Sequence, residues 1–211
     1  TAAAAVFTHL TGAFFFVALG LIWLLSLVTG FGRGVLDRLY PPACLSCGAH
    51  LEGSDGLCAS CWSRLRVISA PRCPVLGLPF EADLGPDVLS AEAIADPPPF
   101  KRARSAVVYN DVARTLVSQF KFGDRTELAR FCARLMVRTC GELLEADGVL
   151  APVPLHRRRQ WQRRYNQSAL LAREIGRMTG LRHDPVLVQR SRPTRQHVGL
   201  SAWQRQGNVQ G

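Results

Sequence analysis

Residues 149–180 constrain the fold more than any other stretch, because their pattern predicts a strand, a polar connection and a helix in direct succession. The apolar run from Val149 to Val153 has the length of a buried strand. Asn166 is a favourable N-cap residue, and the apolar residues behind it recur at helical spacing until Gly180 ends the helix. A strand that leads into a helix through a polar loop brings backbone N–H groups and a helix N-terminus together, where an anion can bind.

The connection itself, Leu155 to Tyr165, is rich in arginine. Arginine supplies positive charge and a forked set of donors that phosphate oxygens accept. The pattern therefore indicates an anion site, and the alternative is a basic surface loop in front of an ordinary helix. The arginines of the connection are Arg157, Arg158, Arg159, Arg163 and Arg164.

Strand and helix patterns also alternate on both sides of this stretch. Residues 105–109 have the pattern of a strand, and Asn110 or Asp111 then caps a helix. Asp124 opens a longer helix, and residues 185–188 form a further apolar run. Strands that alternate with helices are typical of an α/β domain with a parallel sheet, which is the predicted fold class.

Four cysteines near the beginning of the chain form two C-x2-C pairs, Cys44 with Cys47 and Cys58 with Cys61. Each pair makes a tight turn that aims two sulfurs at one ion, and Gly48 permits the left-handed backbone such a turn often needs. We predict a structural zinc, because four thiolates leave no open position for a substrate. Free or disulfide-paired cysteines are the alternative.

The other three cysteines do not continue this pattern. Leu76 stands where a partner of Cys73 would be expected, so Cys73 is interpreted as a lone thiol. Cys132 and Cys140 fall on or beside the apolar face of the second predicted helix and are assigned to the core. Residues 81–103 have the composition of a linker.

The N-terminal segment contains no charged residue before Arg33. As a helix, its apolar run over 13–29 would be about 26 Å long, slightly shorter than a hydrocarbon core of about 30 Å. We predict a hydrophobic helix or membrane segment within residues 1–40, whose membrane contact would be made by residues 10–32. If the segment spans a membrane, Arg33 and Arg38 would hold its downstream end in the cytoplasm. The alternatives are a helix packed on the main domain and a mistranslated extension.

The chain of 211 residues has room for one ordinary domain and a small module, and its net charge of +10 favours anionic partners. Those partners could be phosphorylated metabolites, nucleic acid or an acidic membrane surface. The last segment, residues 190–211, is polar and basic. It has the composition of a mobile loop that folds over a polyphosphate, or of a disordered basic tail.

Several motifs together resemble those of the ComF family, which are competence-type phosphoribosyltransferase-like proteins with an N-terminal zinc ribbon. The resemblance covers about residues 36–211. The matching motifs are Pro41-Pro42-x-Cys44-x2-Cys47, Cys58-x2-Cys61, Pro152-Val153-Pro154-Leu155-His156, Arg164-Tyr165-Asn166-Gln167 and Arg192-x-Thr194-x-Gln196-x3-Leu200-Ser201-x3-Arg205-x2-Asn208-Val209.

The resemblance implies a type I phosphoribosyltransferase-like parallel sheet at residues 104–211, preceded by a zinc ribbon at residues 41–80. It implies a cytoplasmic protein of DNA uptake or nucleotide salvage that displaces magnesium-bound pyrophosphate from phosphoribosyl pyrophosphate. The catalytic arginines of the closing loop would be Arg190, Arg192 and Arg205. The pyrophosphate-binding residues after the strand would be His156, Arg157, Arg158, Arg163, Arg164, Tyr165 and Asn166.

The chain departs from the family in two respects. Leu76 replaces a cysteine that family members often carry, and the acidic Asp-Asp/Thr-Thr-Gly element that grips the ribose and its 5-phosphate does not occur. That element would lie just past Gly211, so we expect a C-terminally truncated fragment, or else a chain that cannot catalyse. Enzymatic activity depends on which of these applies.

Two other functions remain open at this point. A non-catalytic nucleic-acid-binding module would use the arginines for phosphates and Trp161 and Tyr165 for stacking on the bases of single-stranded or duplex DNA. A membrane-tethered adaptor of an uptake machine would use residues 10–32 and would bind proteins of the competence machinery.

Overall fold

The computed structural model describes residues 41–51, 56–85, 87–190, 199, 201, 203–204 and 207. The predicted hydrophobic helix within residues 1–40 lies outside the described residues, and so does most of the chain after Arg190. No helix in the described part of the chain is long and apolar enough to cross a membrane.

The described residues belong to two compact units. The first unit includes residues 41–44, 48–51 and 56–58, and the second includes residues 45–47 and those from 59 onward. The second unit contains helices and a small parallel sheet. In chain order its elements are α1 (Ala59–Arg64), α2 (Ala91–Ala95), α3 (Asp111–Phe122), α4 (Leu128–Cys140), a 3-10 helix (Gly141–Leu143), β1 (Val149–Leu150), α5 (Arg157–Arg163), α6 (Gln167–Thr179) and β2 (Arg182–His183).

Helix α3 begins where the sequence predicts it. The Asn110 side-chain oxygen accepts a hydrogen bond from the Ala113 N–H at 3.1 Å, which satisfies one donor of the first helical turn. The side-chain amide of Asn110 also donates to the Arg64 carbonyl at 2.6 Å, so the same residue fixes the entry of the chain into the helix. The buried face of α3 consists of Val112, Ala113, Leu116 and Phe120.

Helix α4 begins later than predicted. Asp124 does not cap it, because this residue has a φ of 52° and lies in a turn in which the Thr126 N–H donates to its carbonyl at 3.0 Å. The helix starts at Leu128, which is fully buried, and ends at Cys140. The assignment to the core is confirmed for Cys140, which is buried, whereas Cys132 is half-buried, and burial raises its pKa to about 11.

The parallel sheet consists of β1 and β2, with α5 and α6 between them in the chain. Helix α6 packs against α4 and ends, as predicted, at Gly180, whose φ of 78° suits glycine. Gly176 permits a close approach, because a Cβ there would meet the Leu181 carbonyl oxygen at 2.8 Å. The predicted β-α-β order is therefore present, although each strand is only two residues long.

The prediction of a strand over residues 105–109 is wrong in extent and direction. Only Val107 pairs, in an antiparallel bridge with Val67. The flanking hydrogen bonds run from the Ile68 N–H to the Ala106 carbonyl at 3.0 Å and from the Val108 N–H to the Arg66 carbonyl at 2.8 Å. The apolar run at 105–109 thus marked a contact with an earlier segment of the chain and not a strand of the parallel sheet.

The strand predictions at 149–153 and 185–188 also need correction. The first strand stops at Leu150, and Val153 is 66% exposed. Residues 185–188 are not a strand: the Asp184 side chain accepts from the Val186 N–H at 3.0 Å, which turns the chain immediately after β2. A run of exposed apolar residues with an aspartate in front of it was therefore mistaken for a buried strand.

Glu142, in the 3-10 helix, joins two arginines from distant parts of the chain. Its carboxylate accepts from Arg72 at 2.6 Å and from Arg104, and the Arg72 guanidinium also donates to the Thr139 carbonyl at 2.9 Å. The side chains of Arg72 and Arg104 are only 13% and 6% exposed. The hydrogen bond from Arg104, aided by the charges of both arginines, holds the pKa of Glu142 below its ordinary value of 4.5.

We expect Glu142→Gln to destabilise the protein by about 1–2 kcal/mol at pH 7, since the amide removes the countercharge of two largely buried guanidinium groups. A carboxylate whose pKa is lowered on folding stabilises the protein above its ordinary pKa, and this contribution is lost as the pH falls through the lowered value. The difference between variant and wild type should therefore shrink below about pH 4.5. Denaturant unfolding at several pH values measures it, and the exposed Glu145→Gln is the control.

Candidate functional site

The four cysteines of the two C-x2-C pairs meet at one place. Their sulfur atoms all lie within 4.8 Å of one another. Cys44 is fully buried and Cys61, the third residue of α1, is 1% exposed. The Cys58 N–H donates to the Cys44 sulfur at 3.3 Å, which ties the first C-x2-C pair to the second.

This donor set fits zinc. Four thiolates at this separation can surround one ion tetrahedrally, and such closed sites are structural. The Arg64 guanidinium lies 3.8 Å from the Cys61 sulfur and offsets part of the negative charge that four thiolates carry. The predicted convergence of these cysteines is confirmed, and Cys44, Cys47, Cys58 and Cys61 are the residues that would hold the ion.

Asn166 organises the second candidate site, the segment between β1 and α6. Its side-chain oxygen accepts from the Ser168 N–H at 3.0 Å and so caps α6 as predicted. Its side-chain amide donates to the Val153 carbonyl at 3.1 Å. One residue thus holds the loop that follows β1 against the N-terminus of a 13-residue helix. Asn166 therefore joins the loop and the N-terminus of α6 into a single site.

The segment predicted as a loop contains a helix, α5, which begins at Arg157 and ends at Arg163. Arg163 is half-buried: its guanidinium lies 4.9 Å from the centre of the Phe122 ring and donates to the Gln167 side chain at 3.4 Å. Burial lowers the pKa of Arg163, and the nearby charge of Arg159 lowers it further. The two arginines therefore form a cationic pair whose mutual repulsion a bound anion would relieve.

Arg164 and Tyr165 connect α5 to α6 in contrasting environments. The Arg164 side chain is 82% exposed and lies 3.9 Å from the carboxylate of Asp124, and its φ of 62° is unusual for a residue other than glycine. The Tyr165 hydroxyl donates to the Phe120 carbonyl at 2.7 Å, and the two rings are tilted with centroids 6.3 Å apart. Burial, followed by the charge of Asp124, raises the pKa of Tyr165.

The structure brings several of the predicted anion-binding residues close together and leaves others undescribed. His156 and Arg190 are half-buried. Arg157 and Arg158 occupy the first two positions of α5, while Arg192 and Arg205 lie outside the described residues. Gln167 was not among the predicted site residues, although it is buried and donates to the Lys121 carbonyl at 3.3 Å. Its place in the motif Arg164-Tyr165-Asn166-Gln167 was the available signal.

We expect Tyr165→Phe to destabilise the protein by about 1 kcal/mol, because it removes the hydrogen bond to a partly buried carbonyl. Tyr109→Phe is the matched control, since that ring is 68% exposed and its loss of a hydroxyl should change little. Urea unfolding of the two variants measures the difference. Equal stabilities would show that the Tyr165 hydroxyl does not hold α6 to α3.

Comparison with known proteins bears on both sites. The double zinc ribbon domain model matches residues 35–93, which include both C-x2-C pairs and extend beyond residue 80 into the predicted linker. No solved structure shows a significant match to the chain. The described fold is thus a mixed helix and strand structure with a small parallel sheet and a zinc ribbon-type domain.

Relatives of this chain include competence and DNA utilization proteins. The DNA utilization protein YhgH of Escherichia coli is 33% identical over 177 residues, covering 80% of this chain and 75% of its own length. Competence protein F of Haemophilus influenzae is 28% identical over 174 residues, covering 79% of this chain and 73% of its own length. Competence protein ComFC of Bacillus subtilis is 29% identical over 140 residues, covering 65% and 57% respectively. The chain therefore belongs to the ComF family.

Proposed function

We propose that the segment from β1 to α6 binds the pyrophosphate group of phosphoribosyl pyrophosphate, and that the protein is phosphoribosyltransferase-like. On this proposal residues 104–211 supply the sugar-phosphate site and the zinc ribbon is structural. The protein acts in the cytoplasm, where thiols stay reduced, and serves DNA uptake or nucleotide salvage. The printed names of its relatives, competence and DNA utilization proteins, support that setting.

The observation that carries the proposal is the double role of Asn166. Its two hydrogen bonds hold the loop after β1 at the N-terminus of α6, where backbone N–H groups and the helix dipole favour negative charge. A basic surface loop without a ligand would not need two hydrogen bonds that fix it to the start of a helix. The two bonds support a loop whose shape matters for the ligand that it holds.

The charge of the segment supports the same ligand. Arg159 and Arg163 lie close enough for one to lower the pKa of the other, and the exposed Arg164 follows directly. Pyrophosphate carries several negative charges on closely spaced oxygens, which forked guanidinium groups can bind in pairs. We assign pyrophosphate contacts to the predicted side chains and to Arg159, with Tyr165 and Asn166 contributing through their backbone because their side chains bond within the protein. The predicted set is His156, Arg157, Arg158, Arg163, Arg164, Tyr165 and Asn166.

In the reaction that follows from this proposal, the bond between the anomeric carbon of ribose and the pyrophosphate oxygen breaks. A nucleophile on the acceptor forms the new bond to carbon, and pyrophosphate leaves with the electron pair. The arginines of this segment would stabilise the leaving group, and Arg190, Arg192 and Arg205 would close over it. Magnesium would accompany the substrate and neutralise part of its charge.

A nucleic-acid-binding module is the second candidate, and Trp161 is the observation that favours it. This side chain lies on α5 among the arginines and is 90% exposed. An exposed indole beside positive charge can stack on a base while arginines contact phosphates. Tyr165, in contrast, uses its ring and hydroxyl on Phe120 within the protein, so the proposed stacking surface is smaller than the sequence suggested.

Calorimetric titration separates the two candidates. We would titrate pyrophosphate, phosphoribosyl pyrophosphate and single-stranded and duplex DNA into the protein at two salt concentrations, with magnesium present. Saturable binding of pyrophosphate is expected, with phosphoribosyl pyrophosphate binding through the same arginines. If DNA binds with a steep dependence on salt while pyrophosphate does not bind, the nucleic-acid module is correct and the metabolite site is not.

A further inference from the structure

The first half of the zinc ribbon is a hairpin with a definite hydrogen-bond pattern. The Cys44 N–H donates to the Ala49 carbonyl at 2.7 Å, the Gly48 N–H to the Cys44 carbonyl at 2.9 Å and the Leu51 N–H to the Pro42 carbonyl at 2.8 Å. Gly48 has a φ of 76°. This turn presents Cys44 to the metal site.

A second hairpin repeats this pattern at a constant offset along the chain. The Cys73 N–H donates to the Leu78 carbonyl at 2.8 Å, the Gly77 N–H to the Cys73 carbonyl at 2.9 Å and the Phe80 N–H to the Pro71 carbonyl at 3.0 Å. Gly77 has a φ of 68°. An antiparallel bridge closes each hairpin, between Ala43 and His50 in the first and between Arg72 and Pro79 in the second.

The second half of the ribbon is repeated as well. In the first copy the Cys58 N–H donates to the Cys44 sulfur at 3.3 Å, and α1 begins at the next residue. In the second copy the Ser90 N–H donates to the Cys73 sulfur at 3.4 Å, and α2 begins at the next residue. Hairpin, sulfur contact and short helix therefore occur twice in the same order.

The repeat identifies the positions that correspond to the four metal ligands. Cys73 corresponds to Cys44, but Leu76, Ser90 and Ala93 take the places of the other three cysteines. Ala93 is the third residue of α2 and 4% exposed, as Cys61 is the third residue of α1 and 1% exposed. The fold of the second copy is kept while three of its four thiols are replaced.

The remaining donor set does not fit zinc. Cys73 is the only cysteine or histidine between Cys61 and Cys132, and structural zinc sites are built from four such ligands. The Ser90 hydroxyl is used within the fold, since it accepts from the Ala93 N–H at 3.4 Å and caps α2. We propose that residues 71–95 are a second zinc ribbon that has lost its metal, so that the chain carries one zinc although its family model describes a double ribbon.

Hydrogen bonds hold the second copy together in place of the metal. The Cys73 sulfur accepts from the N–H groups of both Leu76 and Ser90, each at 3.4 Å, which ties the hairpin to the start of α2. The tip of the hairpin is fixed from outside, because the Ala103 N–H donates to the Val75 carbonyl at 2.7 Å. The nearly buried Arg104 side chain donates to the Pro74 carbonyl at 2.9 Å.

Gly77 shows how closely the tip of this hairpin is packed. A Cβ at that position would meet the Ala103 carbonyl oxygen at 2.7 Å, whereas a Cβ at Gly48 would meet nothing within 4 Å. The second copy thus depends on contacts with residues 103–104, and the first copy depends on its ion. The region predicted as a linker is accordingly part ribbon and part support for it.

Hydrogen exchange during zinc removal tests the proposal on the protein as it is. Three amides in each copy are equivalent, and they report the two hairpins separately. On treatment with a chelator, the first three should lose protection together with the zinc, and the second three should keep it. The two sets are Cys44, Gly48 and Leu51 in the first copy and Cys73, Gly77 and Phe80 in the second.

Metal content provides the second readout. Wild type and Cys73→Ser should each contain about one zinc per chain, and the triple variant Leu76→Cys/Ser90→Cys/Ala93→Cys should contain about two, because it restores the four-thiolate set. Two zincs in the wild type, or loss of the zinc in Cys73→Ser, would overturn the proposal. So would a folded triple variant that still binds one. If that variant does not fold, protection of the second hairpin in the chelated wild type decides the question.

Discussion

Replacing Cys58 with serine is expected to abolish stable zinc binding and to unfold the first ribbon. The remaining three sulfurs leave one tetrahedral position without a protein thiolate, and the substitution is made at the residue whose N–H donates to the Cys44 sulfur. Structural zinc contributes about 10–16 kcal/mol in zinc-finger peptides, far more than any other single contact in a small module. The ribbon therefore has no comparable source of stability once the ion is lost.

Metal analysis of purified protein, together with amide exchange of the first hairpin, measures this effect. Cys132→Ser is the matched control, because Cys132 is a half-buried thiol of α4 that lies outside the cluster. The control should retain about one zinc per chain under the four-thiolate model, even if the core is weakened. Full retention of zinc by Cys58→Ser would contradict the assignment of the four ligands.

The second large effect is expected at the basic segment. Arg159→Ala/Arg163→Ala should weaken pyrophosphate binding by about two to four orders of magnitude, because each charge-assisted hydrogen bond to an anion contributes roughly 1.5–3 kcal/mol. The pair is chosen because Arg163 is half-buried and the charge of Arg159 adds to burial in lowering the pKa of Arg163, so the two guanidinium groups lie in one cationic region. Titration calorimetry with pyrophosphate provides the measurement.

A control must separate loss of this site from loss of charge and of stability. Arg114→Ala/Arg177→Ala removes the same net charge from exposed positions on α3 and α6, where each arginine pairs with an acid on its own helix. Its pyrophosphate affinity should match that of the wild type. Thermal unfolding of both double variants shows whether the loss of the Arg163–Phe122 contact has unfolded the segment. Equal weakening in both double variants would mean that only the overall charge matters.

Local signals predicted the elements of this fold that depend on neighbouring residues. Asn110 and Asn166 cap helices because a side-chain oxygen can reach the N–H groups of the first turn, and that geometry is set by adjacent residues. The spacing of the C-x2-C pairs likewise fixes which sulfurs face the same ion. Gly180 ends α6 because glycine accepts a positive φ without steric cost.

Features that depend on residues far apart in the sequence could not be predicted from local signals. The apolar run at 105–109 does not reveal that Val107 pairs with Val67, because the two residues lie far apart in the sequence. The segment of helix α5 was predicted as a loop because its residues are mostly polar and charged, although arginine and glutamine are good helix formers. The hydrogen bond from Tyr165 to Phe120 joins elements far apart in sequence, and no local pattern announces it.

The repeated ribbon was visible in part from local sequence and in part only from the structure. Its cysteine signal was reduced to Cys73 alone, with Leu76 at the position expected for a partner, so no second set of four ligands could be recognised from the cysteine spacing. Backbone hydrogen bonds kept the pattern after three ligands were replaced, because they do not depend on side-chain identity. The backbone therefore shows that the two ribbons are related, although the number of cysteines does not.

NMR can show directly whether the segment between β1 and α6 holds pyrophosphate. Backbone amide shifts of isotope-labelled protein would be followed as pyrophosphate is added, with sulfate as the comparison anion. We expect saturable shifts concentrated at residues 151–168, including the amides around Asn166, and weaker shifts with sulfate. Shifts that are confined to other surfaces, or an absence of saturable shifts in this segment, would contradict the proposed pyrophosphate site.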